Sequence, residues 1–312
     1  MQIEGRVVGL YFRVDAEGNP FHKALSRIEA EEEVISLTKW GLEGSKEWHR
    51  DDQVIERNVL TKDNRNPLDR ALLCQSIENY NLLKERFPNQ KETLQSPNFA
   101  ENVLIEGLLG KDICIGDKFN VIRDNGNGNE EITAVLEVSN PRRPCYKIKM
   151  KHTDEVCMHT ASNGLAGWFF RVIEEGTMKI GDRIVLHERI HPKWNLYRIS
   201  NLMYCETNLS YEIPRWTGTD EEIEEILNLK ELGIFRWKEV LMKFVEQREE
   251  RELKWIEKEK RKEQKTSEID ESKNIIIDSS KQNTLPFSFS IPIVIGVFTL
   301  FISSFWFVFH RN

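Results

Sequence analysis

The run Val138-Ser139-Asn140-Pro141-Arg142-Arg143-Pro144-Cys145-Tyr146-Lys147 brings one cysteine and three cations together. Pro141 and Pro144 stiffen the turn, because each fixes φ and removes a backbone donor. Arg142, Arg143 and Lys147 fall within six positions. Positive charge at that range favours a thiolate and predicts a lowered pKa for Cys145. A thiolate on a rigid basic loop can be a nucleophile, a persulfide carrier or a soft metal ligand. The residues alone leave all three open. A second segment, Asn98-Phe99-Ala100-Glu101-Asn102-Val103, sets a carboxylate beside an amide. A third candidate is the start of a predicted helix, where Asp69 and Arg70 sit among unpaired N–H groups that suit an anion. Cys74, Cys114, Cys157 and Cys205 lack the surroundings of Cys145 and read as small buried hydrophobes. Cys157-Met158-His159 together with His152 has a spacing that fits no zinc pattern.

These residues need a scaffold. The chain has 312 residues, 39% hydrophobic and 30% charged, enough for a sizeable core in one large domain or two small ones. The net charge of −7 argues against broad nucleic-acid binding. Five cysteines with no C-x-x-C pair argue against a disulfide scaffold or a four-thiolate zinc site. The first residues lack a signal-peptide layout, so reduced, cytosol-facing thiols are expected.

Residues 1–215 read as β-rich. Val7 to Phe12 is a strand candidate. Phe119 to Arg123 and Thr133 to Val138 alternate apolar and polar residues on either side of a strong turn signal, Asp124 to Asn129. Trp168 to Ile173 and Arg183 to Glu188 are expected to form a further pair. Strands at this spacing predict a mainly β fold, barrel or sandwich, with some helix. Pro67 to Phe87 is the expected early helix, with Leu68, Ala71, Leu72, Ile77 and Tyr80 at roughly helical spacing.

The last part of the chain differs. Arg236 to Lys265 is a charged helical stretch whose short apolar face is Leu241, Phe244 and Val245. Residues 266–284 read as a flexible tether. Ile291 to Phe309 is 19 residues without a charge, and the uncharged run reaches back to Leu285. As a helix it would rise roughly 28 Å, against a hydrocarbon core of about 30 Å. Aromatic residues crowd its two ends, as interfacial side chains do. A single transmembrane anchor at 285–309 is therefore expected. The globular part would face the cytosol, with the mitochondrial outer membrane favoured over the endoplasmic reticulum. The expected divisions are a β-barrel domain at 1–215, a helical appendage at 216–265, a linker at 266–284 and the anchor at 285–309.

The motif order resembles the MOSC domain, the type found at the C-terminus of molybdenum cofactor sulfurases. It runs Gly41-Leu42-Glu43-Gly44, Asp69-Arg70-Ala71-Leu72, Phe99-Ala100-Glu101-Asn102-Val103, Gly116-Asp117 and Pro141 to Lys147, then Gly167-Trp168-Phe169, Gly181-Asp182 and His191-Pro192-Lys193-Trp194. The resemblance covers about residues 5–250 and is closest to the bacterial single-domain branch that reduces N-hydroxylated purines. Leu227 to Phe244 is similar to the helical appendage of that branch. The chain departs from the pattern at Ser45, where the family has Asp. It departs again at Arg65-Asn66-Pro67, where a His-Gly-Gly run is usual.

The resemblance implies a MOSC-type β-barrel with flanking helices and a molybdenum–pterin cofactor (Moco) ligated by Cys145. It implies that Arg70, Arg142 and Lys147 bind the cofactor's phosphate. It implies that Glu101 and Asn102 hold cofactor or substrate, and that Glu101 assists protonation of the leaving oxygen. The implied activity is reduction of N-hydroxylated small molecules such as hydroxylaminopurines, amidoximes and hydroxylamines. Electrons would come from an external donor of the cytochrome b5 and flavin reductase type, beside the lipid bilayer. Two other readings carry different chemistry: a Moco or persulfide-sulfur carrier without turnover, and a degenerate MOSC scaffold at the membrane.

Overall fold

The computed structural model describes residues 2–13, 27–29, 34–45, 66–144, 146–149, 151–204, 216–233, 237–247 and single positions from 250 to 261. Cys145, Cys205, Arg65 and the expected anchor at 285–309 lie outside the described residues. Among the described residues, no helix is long and apolar enough to cross a membrane.

Met1–Glu250 form one compact unit, and Arg251–Asn312 are a second. The first is built on a closed barrel of seven strands, so the fold is mixed α/β around a β core. Its strands are β1 (Glu4–Arg13), β5 (Leu72–Ser76), β6 (Val103–Glu106), β7 (Lys118–Asp124), β8 (Glu130–Pro141), β9 (Trp168–Glu174) and β11 (Arg183–Glu188). The order is β11-β7-β8-β9-β5-β6-β1, and β1 pairs with β11 to close the ring. All pairings are antiparallel except β5 with β6. Closure leaves the barrel strands no free edge. The short strand β2 (Arg27–Glu29) adds to β1, while β3 (Ile35–Thr38), β4 (Gly41–Leu42) and β10 (Gly176–Met178) make a small separate sheet.

The β7–β8 hairpin forms where the turn residues predict it. Gly126 and Gly128 take positive φ, and Asp124 Oδ1 accepts from Gly126 N at 2.8 Å. The expected helix over Pro67 to Phe87 is three elements instead. Pro67–Arg70 is a 3-10 turn, Leu72–Ser76 is strand β5, and only Ile77–Arg86 is helix α1. All five residues of β5 are buried, because it is central and covered on both faces. Such a strand shows no period of two, and here its last two buried residues, Gln75 and Ser76, are polar. The runs from Trp168 and Arg183 are both strands but not partners. β9 lies between β8 and β5, and β11 lies between β7 and β1. Barrel closure joins segments far apart in sequence.

Helices α2 (Tyr146–Lys149), α3 (Asp154–Ser162), α4 (Leu196–Met203) and α5 (Asp220–Leu227) surround the barrel. Side-chain caps start them: Thr153 for α3, Asn195 for α4, and a Thr219–Glu222 capping box for α5. Inside, Phe119, Phe170 and Trp168 pack edge to face. Ile223, Ile226, Trp237 and Leu241 join the same core, so this helical region packs on the barrel.

Candidate functional site

One cross-strand row supports the candidate residues. Pro141 pairs with Trp168, Trp168 with Cys74, and Cys74 with Val103. The loop carrying Arg142 leaves β8 at one end of this row, and the segment carrying Glu101 enters β6 at the other. Two strands separate their attachment points, yet the segments meet on Phe99. The Arg142 guanidinium lies 5.8 Å from the Phe99 ring centre, and the His152 ring stacks on it at 5.8 Å. Lys151 Nζ donates to Asn98 Oδ1 at 3.0 Å.

Glu101 is fully buried. Its Oε1 accepts from the Tyr80 hydroxyl at 2.7 Å, and its Oε2 accepts from Phe99 N at 3.1 Å. The preceding residue, Ala100, takes φ 63°, an uncommon left-handed conformation that turns the segment into β6. Burial pushes the Glu101 carboxyl above its ordinary range, against its own backbone contact, Tyr80 and Arg142. Burial, and then Glu101, push the Cys74 thiol well up, so this cysteine is held as a neutral thiol. Burial, and then Lys151, hold His152 down at about 4.

Asn102 is buried in a different role. Its Oδ1 accepts from Leu73 N at 3.0 Å, and its Nδ2 donates to Tyr11 O at 3.4 Å. The amide thus ties β1 and β5 to the start of β6. Arg70 lies 4.6 Å over the Phe169 ring, and Phe169 pairs with Asn140 at the end of β8. Arg70 is therefore close to the strand that feeds the cysteine loop. The expected anion site at a helix start is not formed, since Asp69 and Arg70 belong to a 3-10 turn. Asp69 instead pairs with Arg171 at 2.7 Å; Arg171 also reaches Glu137 at 2.7 Å and the Glu231 carbonyl. Lys147 lies in α2, and its side chain is outside the description together with Cys145.

The cysteine loop is braced from the helical region. Trp237 Nε1 donates to Pro141 O at 2.9 Å, and Gly233 N donates to Ser139 O. Arg143 Nη1 donates to the Tyr204 hydroxyl at 2.9 Å, and Tyr204 packs edge to face on Trp237. Arg142 N donates to Gly167 O at 2.9 Å. Arg142 itself is 8% exposed.

Several buried polar atoms between residues 140 and 168 hold no hydrogen-bond partner among the described residues: Asn140 Oδ1, Arg143 Nε, His152 Nε2, Thr160 Oγ1 and Trp168 Nε1. Leaving such an atom unsatisfied costs about 1–3 kcal/mol. Ordered water or a polar bound group removes that cost. The Arg143 donor next to the Arg142 cation fits an anionic, hydrogen-bonding group.

The residues missed from sequence are Tyr80, Phe99 as a shared shelf, His152, Trp168 and the Tyr204–Trp237 brace. Phe99 and Trp168 stand in the quoted motifs without a role of their own, and Trp237 stands four residues before Leu241 on the predicted apolar face. His152 and His159 do not combine with Cys157: His152 stacks on Phe99, while His159 packs edge-on against Phe87.

The MOSC domain model matches residues 56–185. Protein YiiM of Escherichia coli is 31% identical over 176 residues, covering 56% of this chain and 67% of YiiM. A protein of Gibberella moniliformis named Reductase is 28% identical over 156 residues, 49% of this chain but 26% of that protein. This chain therefore spans only about a quarter of the fungal relative. Among solved structures, a hypothetical protein aligns at TM-score 0.56 and 22% identity, covering 78% of this chain and 89% of that one. The crystal structure of Escherichia coli YiiM aligns at TM-score 0.51 and 21% identity, with 78% and 92% covered. These two likenesses concern the fold. The chain belongs to the MOSC family.

Proposed function

We propose that this protein is a molybdenum-cofactor-dependent oxidoreductase that reduces N-hydroxylated small molecules with electrons from a partner. The observation that carries the reading is Arg143 Nε, a buried donor with no partner among the described residues, which follows Arg142 on the loop and stands two positions before Cys145 in sequence. Family membership and a relative named Reductase support it. When bound, the cofactor supplies a metal that changes by two electrons.

The chain's own residues do the rest. Cys145 offers a soft thiolate to the metal. Arg70, Arg142, Arg143 and Lys147 offer positive charge and forked donors to a phosphate. Glu101, with its raised pKa, holds a proton above the ordinary carboxylate range and can release it to a leaving oxygen. The Trp237 and Tyr204 brace fixes the loop in place. The uncharged segment 285–309 would tether the domain to a membrane, the mitochondrial outer membrane by preference. There, a membrane-bound donor of the cytochrome b5 type is held at high effective concentration.

The test is molybdenum per chain, by elemental mass spectrometry, for wild type and Cys145→Ser made in a cofactor-producing host, with turnover of an amidoxime as second readout. Near-stoichiometric molybdenum and turnover in wild type, with both lost in the variant, are expected. Molybdenum without turnover selects the carrier reading. No molybdenum in wild type selects the scaffold.

A further inference from the structure

Asp69 is held from two sides. Its carbonyl accepts from Ser139 Oγ, and its carboxylate Oδ1 accepts from Arg171 Nε at 2.7 Å. The next residue is Arg70, a cation assigned to the cofactor's phosphate, and Arg142 stands three positions after Ser139. One short joint therefore locates both segments.

Arg171 is the centre of that joint. It stands directly across from Glu137 on β8 and donates from Nη1 to Glu137 Oε1 at 2.7 Å. The same nitrogen donates to the Glu231 carbonyl at 2.7 Å, while the Glu231 carboxylate pairs with His191. The 3-10 turn, β8 and the segment after α5 thus meet on one guanidinium. That last segment lies tight against the other two. A Cβ on Gly233 would fall 2.3 Å from Asn140 Nδ2 and 2.7 Å from Asp69 Oδ2. The Arg171 and Asp69 side chains are 16% and 6% exposed. A buried charge cluster adds little stability over apolar packing of the same shape. What a planar fork with fixed donor directions provides is geometry.

We propose that Arg171 is a positioning residue for the cofactor site. By gathering Asp69, Glu137 and the Glu231 carbonyl on one fork, it sets Arg70 and the cysteine loop in the arrangement that retains the cofactor. The proposal rests on the cofactor reading for the roles of Arg70 and Cys145.

The barrel supplies a matched control. Arg123 makes a fork on Asp182 at 3.0 and 2.7 Å, with side-chain exposures of 14% and 1%. It pairs with Glu131, at the far end of β8 from Pro141. Arg171→Met and Arg123→Met each break one buried Arg–Asp pair in the full chain, so both should lower the urea midpoint. Only Arg171→Met should speed the loss of molybdenum on dialysis, by about tenfold, the scale on which removing a group behind the ligands weakens a metal site. Arg171→Lys keeps the charge without the fork. It should show the same molybdenum loss at a smaller cost in midpoint. The cofactor-free chain gives a second readout, the rate of Cys145 alkylation by iodoacetamide, followed by peptide mass spectrometry. That rate should change in Arg171→Met and match wild type in Arg123→Met. Molybdenum loss no faster in Arg171→Met than in Arg123→Met overturns the positioning role and leaves the cofactor reading standing. Wild type without molybdenum overturns the cofactor reading, and equal alkylation of the two variants then overturns the positioning role as well.

Discussion

Tyr80 donates its phenolic proton to Glu101 Oε1 across 2.7 Å, and both side chains are out of water, at 2% and 0% exposure. The pair joins α1 to the turn that enters β6. A buried carboxylate held by a hydroxyl, one backbone N–H and a nearby guanidinium still carries a net burial cost, so its pKa rises.

That rise fixes a pH dependence. The folded pKa of Glu101 lies above its unfolded value of about 4.3, so the unfolded state releases this proton first. The stability it contributes is complete below that value and is lost as pH rises through the raised pKa. Glu101→Gln removes the titration and should flatten this loss, as urea unfolding between pH 5 and 8 would read. Tyr80→Phe strands Oε1 and should destabilise by about 1–3 kcal/mol. A Glu101→Gln variant with the wild-type slope would contradict the assignment.

His152 sets the opposite slope. Burial, followed by Lys151, holds its folded pKa at about 4, while an unfolded imidazole titrates near 6.5. Between those values the unfolded state binds the extra proton. The stability His152 contributes is present above about 6.5 and is lost as pH falls toward 4. Integrated over that window it amounts to less than about 3.4 kcal/mol, reduced by the ring's incomplete burial. His152→Phe keeps a ring stacked on Phe99 and removes the proton site. The variant should lose less stability than wild type between pH 6.5 and 4. An unchanged acid limb would place the His152 ring in water.

The elements that sequence reasoning located are those whose cause is local. The β7–β8 hairpin follows from Asp124-Asn125-Gly126-Asn127-Gly128-Asn129, where glycines permit positive φ. Strand β5 was hidden, because burial on both faces erases the alternation that marks a strand. The partners of β9 and β11 were hidden for another reason: closure of a barrel is a property of the whole ring. The candidate site divides the same way. Glu101, Arg142 and Arg70 were legible as reactive types in ordered motifs. Tyr80, Trp168 and His152 were not, because aromatic and imidazole groups near a buried charge carry no distinguishing local pattern. Asn102 shows the limit from the other side: the motif is present, and its amide is engaged by the backbone of β1 and β5.

Gly167 is where the site and the scaffold meet most closely. It takes φ +88°, its carbonyl accepts from Arg142 N, and a Cβ there would lie 2.1 Å from the Cys74 carbonyl oxygen. An alanine would have to push β9 from β5 at the row that carries both candidate segments, and would adopt a left-handed φ as well. Gly126 provides the control, with φ +77° and nothing within 4 Å of its own added Cβ. Gly126→Ala should cost only the conformational term, about 1–2 kcal/mol. Gly167→Ala should cost at least about 2 kcal/mol more, because overpacking against backbone adds to that term. It should also lower molybdenum content, since the Arg142 contact moves with it. Equal denaturation midpoints for the two variants would mean that β9 and β5 are not in contact at Cys74.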